Sequence, residues 1–257
     1  MLRARMIPSL LVRRSGLVKT RRFGDEKYVG DPINAVRIFN EKEVDELIVT
    51  DIDATVDGRE PDYETIAHLA AECRMPLCYG GGVTSVEQAK RIMSLGVEKI
   101  ALSAAVIKRP ELVTEIAEQV GRQSVVVVLD VKKKLLGGYR LHIRNGTVDT
   151  KINPVDFARE VQRLGAGEIV VNSIDNDGMM QGYDLALAGQ IRGAVDLPIT
   201  ILGGAGSCDH MRDAVAKLGT IGLGAGSLFV FKGQYRAVLI SYPDAGERAA
   251  IQQAVAR

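Results

Sequence analysis

"DPINAVRIFNEKEVDELIVTDID" (residues 31–53) and "NPVDFAREVQRLGAGEIVVNSID" (residues 153–175) are two copies of one pattern. Each opens on Asp or Asn followed by Pro, which reads as a helix cap with proline in the first turn. Each then runs through an amphipathic helical stretch and ends in an apolar, β-branched run that closes on Asp. An offset of 122 residues carries Glu46 onto Glu168 and Asp53 onto Asp175. Further out, "MPLCYGGGVTSVEQAKRIMSLG" (75–96) matches "LPITILGGAGSCDHMRDAVAKLG" (197–219). Self-similarity over such a distance signals a doubled structural unit.

The strands that fit this frame begin near residues 6, 46, 75, 99, 124, 168, 197 and 220, which makes eight. Their near-continuous apolar character implies burial on both faces, as in a parallel sheet. Helical patterns lie between them. Several are capped by Asp31, Asp62, Asn153 or Asp184, and three close on Gly96, Gly165 or Gly219. Eight strand–helix units predict a (β/α)8 TIM barrel built from two homologous half-barrels. The expected domain is single, 1–257, with halves at about 1–122 and 123–245 and a C-terminal tail.

The totals agree with that size. The chain has 257 residues, 46% hydrophobic and 25% charged, with a formal net charge of +1. Nothing global points to nucleic acid or an anionic membrane. Cys73, Cys78 and Cys208 form no metal-ligand spacing with the three histidines, so neither metal nor cofactor is expected. The apolar run from Met6 to Val12 is too short to span a bilayer. A soluble, cytoplasmic protein is expected.

Barrel active sites lie at the C-terminal strand ends. Three glycine clusters fall there: "GGG" from 80, "GGAG" from 203 and "GAGS" from 224. Glycine lets the backbone approach an anion closely. Tight turns alone would explain one cluster; three at the right strand ends, two related by the repeat, point to anion binding. The candidates are Gly81, Gly82 and Ser103 in one half, and Gly203, Gly204, Gly224 and Ser227 in the other. Two opposed sites imply a ligand phosphorylated at both ends, or a diphosphate-linked one. Asp130 ends the fifth strand and is either a general acid or base, or a loop anchor. Asp51 and Asp177 read as loop-holding carboxylates at the rim. Lys19, in the basic loop after strand 1, is a candidate to hold an anion or orient Asp130.

At the opposite end, Arg5, Glu46, Lys99 and Glu168 each open a strand. Separate solvated rim charges are the ordinary outcome. Strand starts converge below a barrel, however, and there the four would close into a charged gate.

The chain resembles the cyclase subunit of imidazole glycerol phosphate synthase over nearly its whole length. The resemblance runs through "GDPINAVRIFNEKEVDELI", "REPDYETI", the "GGG" loop, "VEKI", "FARE…LGAGEI", "SIDNDGMMQGYDL" and "GGAG". It implies a glutaminase subunit docked at the N-terminal barrel face and ammonia passing through the barrel. By the same resemblance Arg5, Glu46, Lys99 and Glu168 match an ammonia gate. Asp130 matches one of two catalytic aspartates, Lys19 and Asp51 match active-site neighbours, and the glycine loops match phosphate sites.

The family's other catalytic aspartate falls on Leu11, in "IPSLLV". Ser103 stands where asparagine is usual, Asn172 where threonine is, and Met179 where threonine is. A leucine cannot transfer a proton. Leu11 together with "MPLCYGGG", "VVVLDVKKKLLGGYRLH" and "GSLFVFKGQYRAVLISYP" is similar to the acetamidino-modification paralogue of surface-polysaccharide biosynthesis. That similarity implies a glutaminase, an ATP-dependent sugar amidotransferase as a further partner, and a nucleotide-linked acetamido sugar as substrate. Two other readings stand beside it. One is a cyclase of histidine biosynthesis with Asp130 acting alone. The other is a non-catalytic ammonia channel that docks a ligase.

Overall fold

The computed structural model describes residues 3–254, so the domain bounds expected at 1 and 257 lie outside the described residues. Eight parallel strands close into a barrel: β1 (Arg5–Arg13), β2 (Leu47–Asp51), β3 (Leu77–Gly80), β4 (Lys99–Leu102), β5 (Val125–Lys133), β6 (Glu168–Ser173), β7 (Ile199–Leu202) and β8 (Gly222–Ala225). Each pairs with the next, and β8 pairs with β1, with Pro8 opposite Ala225. The seam between the halves is long, with six aligned residues joining β5 to β6 and Asp130 opposite Asn172.

The outer helices are α1 (Pro32–Glu41), α2 (Tyr63–Glu72), α3 (Val86–Ser94), α4 (Leu112–Val120), α5 (Pro154–Leu164), α6 (Leu185–Arg192), α7 (Cys208–Leu218) and α8 (Ala245–Gln252). The repeat is visible in their caps. Asp31 accepts from the Asn34 amide at 2.8 Å, and Asn153 from the Val155 amide at 2.8 Å, each followed by proline. Gly165 ends α5 in the left-handed conformation at φ 99°. The apolar faces of the helices bury against the outside of the barrel, with Phe39, Ile66, Ile92, Ile116, Val161 and Ile191 fully enclosed.

A second, smaller apolar layer fills the lumen: Ile7, Ile48, Cys78, Ala101, Val126 and Val170. These are the inward positions of strands whose alternate residues face the helices.

Three segments differ from the sequence reading. Residues 16–30 form an antiparallel hairpin (Gly16–Arg21, Gly24–Gly30) on β1, not a loop. At the equivalent place in the second half, β5 runs on into an antiparallel ladder with Tyr139–Ile143 and Val148–Asp149. Near the C-terminus, Phe231–Lys232 pairs with Ala237–Val238. Lys19 therefore sits on a strand, which fixes its side chain. No described helix is long and apolar enough to cross a membrane.

Phe39 is wholly buried between α1 and the barrel. Phe39→Ala should lower unfolding stability by about 3–5 kcal/mol, seen as a fall in the urea midpoint.

Candidate functional site

The inward-facing residues of β6 are Glu168, Val170 and Asn172, and those of β5 are Val126, Val128 and Asp130. The period of two lines these up as a column from the bottom of the barrel to its mouth.

At the bottom, the four strand-opening charges meet. Lys99 Nζ lies 2.7 Å from Glu46 Oε1 and 2.9 Å from Glu168 Oε2. Arg5 Nη2 lies 2.8 Å from Glu168 Oε1, and Arg5 Nη1 donates to Glu46. Each acid thus binds both bases, and the ring is closed. Thr200 donates a further hydrogen bond to Glu168 at 2.6 Å. The acid side chains are only 5% and 6% exposed, while Arg5 and Lys99 retain 28% and 19%. Burial works against the Glu168 charge, but Arg5 and Lys99 outweigh it and hold the carboxyl below its ordinary range. The same contacts outweigh burial for Arg5 and Lys99 and raise both. Arg5, Lys99 and Glu168 are thus each held in the charged form by their partners in the ring.

Above it, the apolar lumen favours a neutral species over an ion, because an unpaired charge is costly to desolvate.

The lumen opens into a cavity at the C-terminal strand ends. Leu11, Lys19, Asp51, Gly81, Gly82, Ser103, Asp130, Asp177, Gly203, Gly204 and Ser227 all line it. Gly224 does not line this cavity. It lies within β8, where its carbonyl accepts from Tyr183 Oη at 3.1 Å, and Gly226 takes the place at the wall. The close packing of the glycine loops has a geometric cause. A Cβ at Gly81 would come within 2.4 Å of the Asp51 carbonyl, and one at Gly204 within 2.0 Å of the Gly182 carbonyl, both at positive φ.

Asp130 Oδ1 accepts from Asn172 Nδ2 at 2.9 Å. Burial pushes the Asp130 carboxyl up to about 7, against the hydrogen bond from Asn172, with the Asp177 charge adding to the rise. Asn172 Oδ1 is buried and has no protein partner, so it presents a free acceptor beside Asp130. An N–H of a nitrogen ligand fits that vacancy in the hydrogen bonding. Asn172 stands out in the sequence only as a replacement for threonine; its role depends on lying opposite Asp130.

Lys19 does not orient Asp130. Its ammonium donates to the Ser9 carbonyl, and its opposing charge is Asp177. Burial lowers it to about 8 despite Asp177. Asp177 accepts from Thr20 Oγ1 at 2.7 Å and from the Phe23 amide at 3.3 Å, tying the first hairpin to the loop after β6. Asp51 accepts from the Asp53 and Ala54 amides, both at 3.0 Å, and shapes its own turn. Leu11 occupies the β1 end of the wall, with Thr50 beside it on β2. Arg13, at the end of β1, also lines the mouth, as do Arg144 and Asn145, which carry no sequence signal for it because the ladder above β5 brings them there.

The model of the family described as "Histidine biosynthesis protein" matches residues 5–236. The chain is 55% identical over 249 residues to a Vibrio vulnificus protein provisionally named imidazole glycerol phosphate synthase subunit hisF3, covering 96% of each chain. It is 54% identical to a Leptospira borgpetersenii protein provisionally named subunit HisF of the same synthase, over 98% of this chain and 99% of that one. The imidazole glycerol phosphate synthase subunit HisF of Alkaliphilus metalliredigens is 38% identical, over 83% and 85% of the two chains.

Two outcomes check this geometry. Glu168→Ala leaves Arg5 and Lys99 short of a partner and should cost about 3 kcal/mol or more in urea unfolding. For Asp130, the folded pKa lies above the unfolded one. The native state then binds more protons, and stability falls as pH rises from the unfolded value toward about 7. Asp130→Asn removes that loss, so its stability relative to the parent should be greater at pH 8 than at pH 5.

Proposed function

The chain belongs to the histidine biosynthesis protein family, and from that membership we propose that it is the ammonia-using barrel subunit of a glutamine-dependent amidotransferase. The single observation that carries this reading is the continuous column from the closed ring to Asp130 and Asn172. A glutaminase docks below the ring in this reading. Ammonia enters when the ring opens, crosses the apolar lumen and reaches the mouth.

The chemistry at the mouth is ammonia addition to an activated acetamido group of a nucleotide-linked sugar, giving an acetamidino group in the cytoplasm. An ATP-dependent partner activates the amide oxygen as a phosphoryl or adenylyl ester. The ammonia lone pair forms the new C–N bond, and the activated oxygen leaves with its phosphate. Asn172 Oδ1 accepts an N–H of the incoming ammonia, and Asp130, titrating near neutrality, takes the proton released as the bond forms. This finer reading rests on Leu11, which removes a second acid from the mouth, and on the similarity carried by the segments around it. The exposed Leu135 and Leu136, at the tip of the ladder above β5 and beside Lys132–Lys134, supply a surface for the activating partner.

A second reading, an imidazole-forming cyclase of histidine biosynthesis, is favoured by the names of the relatives. The two separate experimentally. The protein purified with its cognate glutaminase should form a complex and stimulate glutamine hydrolysis; absence of both overturns the amidotransferase reading. Given the phosphoribosyl substrate of the cyclase and ammonium salt, it should show turnover at least about 100-fold below a member with aspartate at the position of Leu11. Equal turnover would favour the histidine reading.

A further inference from the structure

A second cavity, of about 450 Å3, lies outside the lumen, where the ends of β1 and β2 meet the first turns of α2. Tyr79 is at its floor, beside Leu69. It points to the helix side of β3, while its neighbour Cys78 points into the lumen. Tyr79 is only 3% exposed, and its hydroxyl has no hydrogen-bond partner among the described residues. Burial pushes the phenol up, and Asp51 and Asp62 on the cavity wall add to the rise. The hydroxyl therefore keeps its proton and faces carboxylates that it does not reach.

Packing does not call for a hydroxyl here. The repeat offset of 122 residues carries Tyr79 onto Ile201, which is buried equally well at 2% exposure. A buried polar group left without a partner is unfavourable, so a fold that needed only bulk would keep the aliphatic residue. The same offset carries Asp62 onto Asp184. In the second half the chain itself fills the place over that cap, since Tyr139 Oη donates to Asp184 at 3.0 Å. In the first half no described side chain other than that of Thr65 donates to Asp62.

The wall is polar and close to balance in charge. Arg13 pairs with Asp53 at 3.0 Å, and Arg59 lies 3.2 Å from Asp57 and 3.5 Å from Asp51. Thr65 holds Asp62 through its amide at 3.1 Å and its hydroxyl at 2.7 Å. With exposed Arg14 at the rim, four carboxylates face three guanidiniums, which disfavours a phosphate. The acids are already held, and no described group of three or more His, Cys, Asp or Glu could hold a metal ion. Such a wall offers donors and acceptors side by side, and a ligand hydroxyl, which donates and accepts at once, matches it. The loop that carries Arg59 is seated on the glycine turn, because a Cβ at Gly82 would come within 2.8 Å of the Arg59 carbonyl. Arg13 and Asp51 line both this cavity and the mouth, so a ring held here adjoins a ligand in the mouth.

We infer that this crevice is a saccharide subsite, taking a neutral polyhydroxyl ring, ribose or pyranose, whose hydroxyls bond to the Tyr79 hydroxyl at the floor and to Arg59 and Asp62 on the wall. The inference goes beyond the proposed function and does not rest on it.

Titration of the full chain with methyl β-D-ribofuranoside, methyl N-acetyl-β-D-glucosaminide and methylguanidinium, followed by NMR through the amide resonances of Ser15 and Thr65, tests it. At least one ring should bind saturably and tighter than methylguanidinium. The tighter ring tells whether the site takes the ribose of a nucleoside or a pyranose. Tyr79→Phe should weaken that ring roughly fivefold, and Arg59→Ala about tenfold. Arg59 is exposed, so its variant folds. The free Tyr79→Phe protein should have a urea midpoint no lower than the parent, because it loses a hydroxyl with no partner. A lower midpoint would place that partner within the fold and overturn the inference. So would the absence of saturable binding by either ring, variants that bind like the parent, or methylguanidinium binding as tightly as the rings.

Discussion

Strand periodicity inside a closed barrel is the constraint on which everything else rests. Only every second residue of a strand faces the lumen. Along β6 this selects Glu168, Val170 and Asn172, and along β5 Val126, Val128 and Asp130. A slip of one residue in the β5–β6 seam would turn Asp130 toward the helices and separate it from Asn172. The charge ring below depends on the same alternation, since Arg5, Lys99 and Glu168 each sit on the first inward position of a strand and Glu46 directly precedes one.

The ring and the mouth use opposite electrostatic solutions. At the bottom, two acids and two bases are mutually paired, and Arg5 and Lys99 hold the Glu168 carboxyl below its ordinary range despite burial. At the mouth, burial outweighs the neutral hydrogen-bond donors of Asp130, Asn172 and Ser103, and with the Asp177 charge nearby its carboxyl titrates near neutrality. Between them lies an apolar layer with no group to hold an ion. A closed ring of charges, an apolar layer and a titratable carboxyl therefore follow one another along a single axis. Leu11 adds to this by leaving the end of β1 without a carboxylate, which there would have raised the Asp130 titration further.

The hairpins explain where pattern reading stopped. Gly24–Gly30 is exposed over most of its length, so it shows no alternation of apolar and polar residues. The same holds for the short pair Phe231–Lys232 and Ala237–Val238. These elements are held by pairing to a neighbour, a non-local cause that leaves little trace in the sequence. They also carry most of the mouth's cations. The strand setting of Lys19, its partnership with Asp177, and the contacts of Arg144 and Arg236 follow from that pairing.

The sequence by itself determined the doubled half-barrel, its eight strands, the helix caps and the glycine-rich strand ends. Those features are local or periodic: a cap is read within three residues, and a buried parallel strand by its unbroken apolar run. It also marked Arg5, Glu46, Lys99 and Glu168 as a set, because each opens one of those strands. Only the tertiary structure decided that these four close into a ring and that Asn172 faces Asp130. It alone placed Gly226 rather than Gly224 at the cavity wall. Each of these depends on which side chains meet across the barrel, and residues such as Glu46 and Glu168 are brought together by closure over 122 positions of chain.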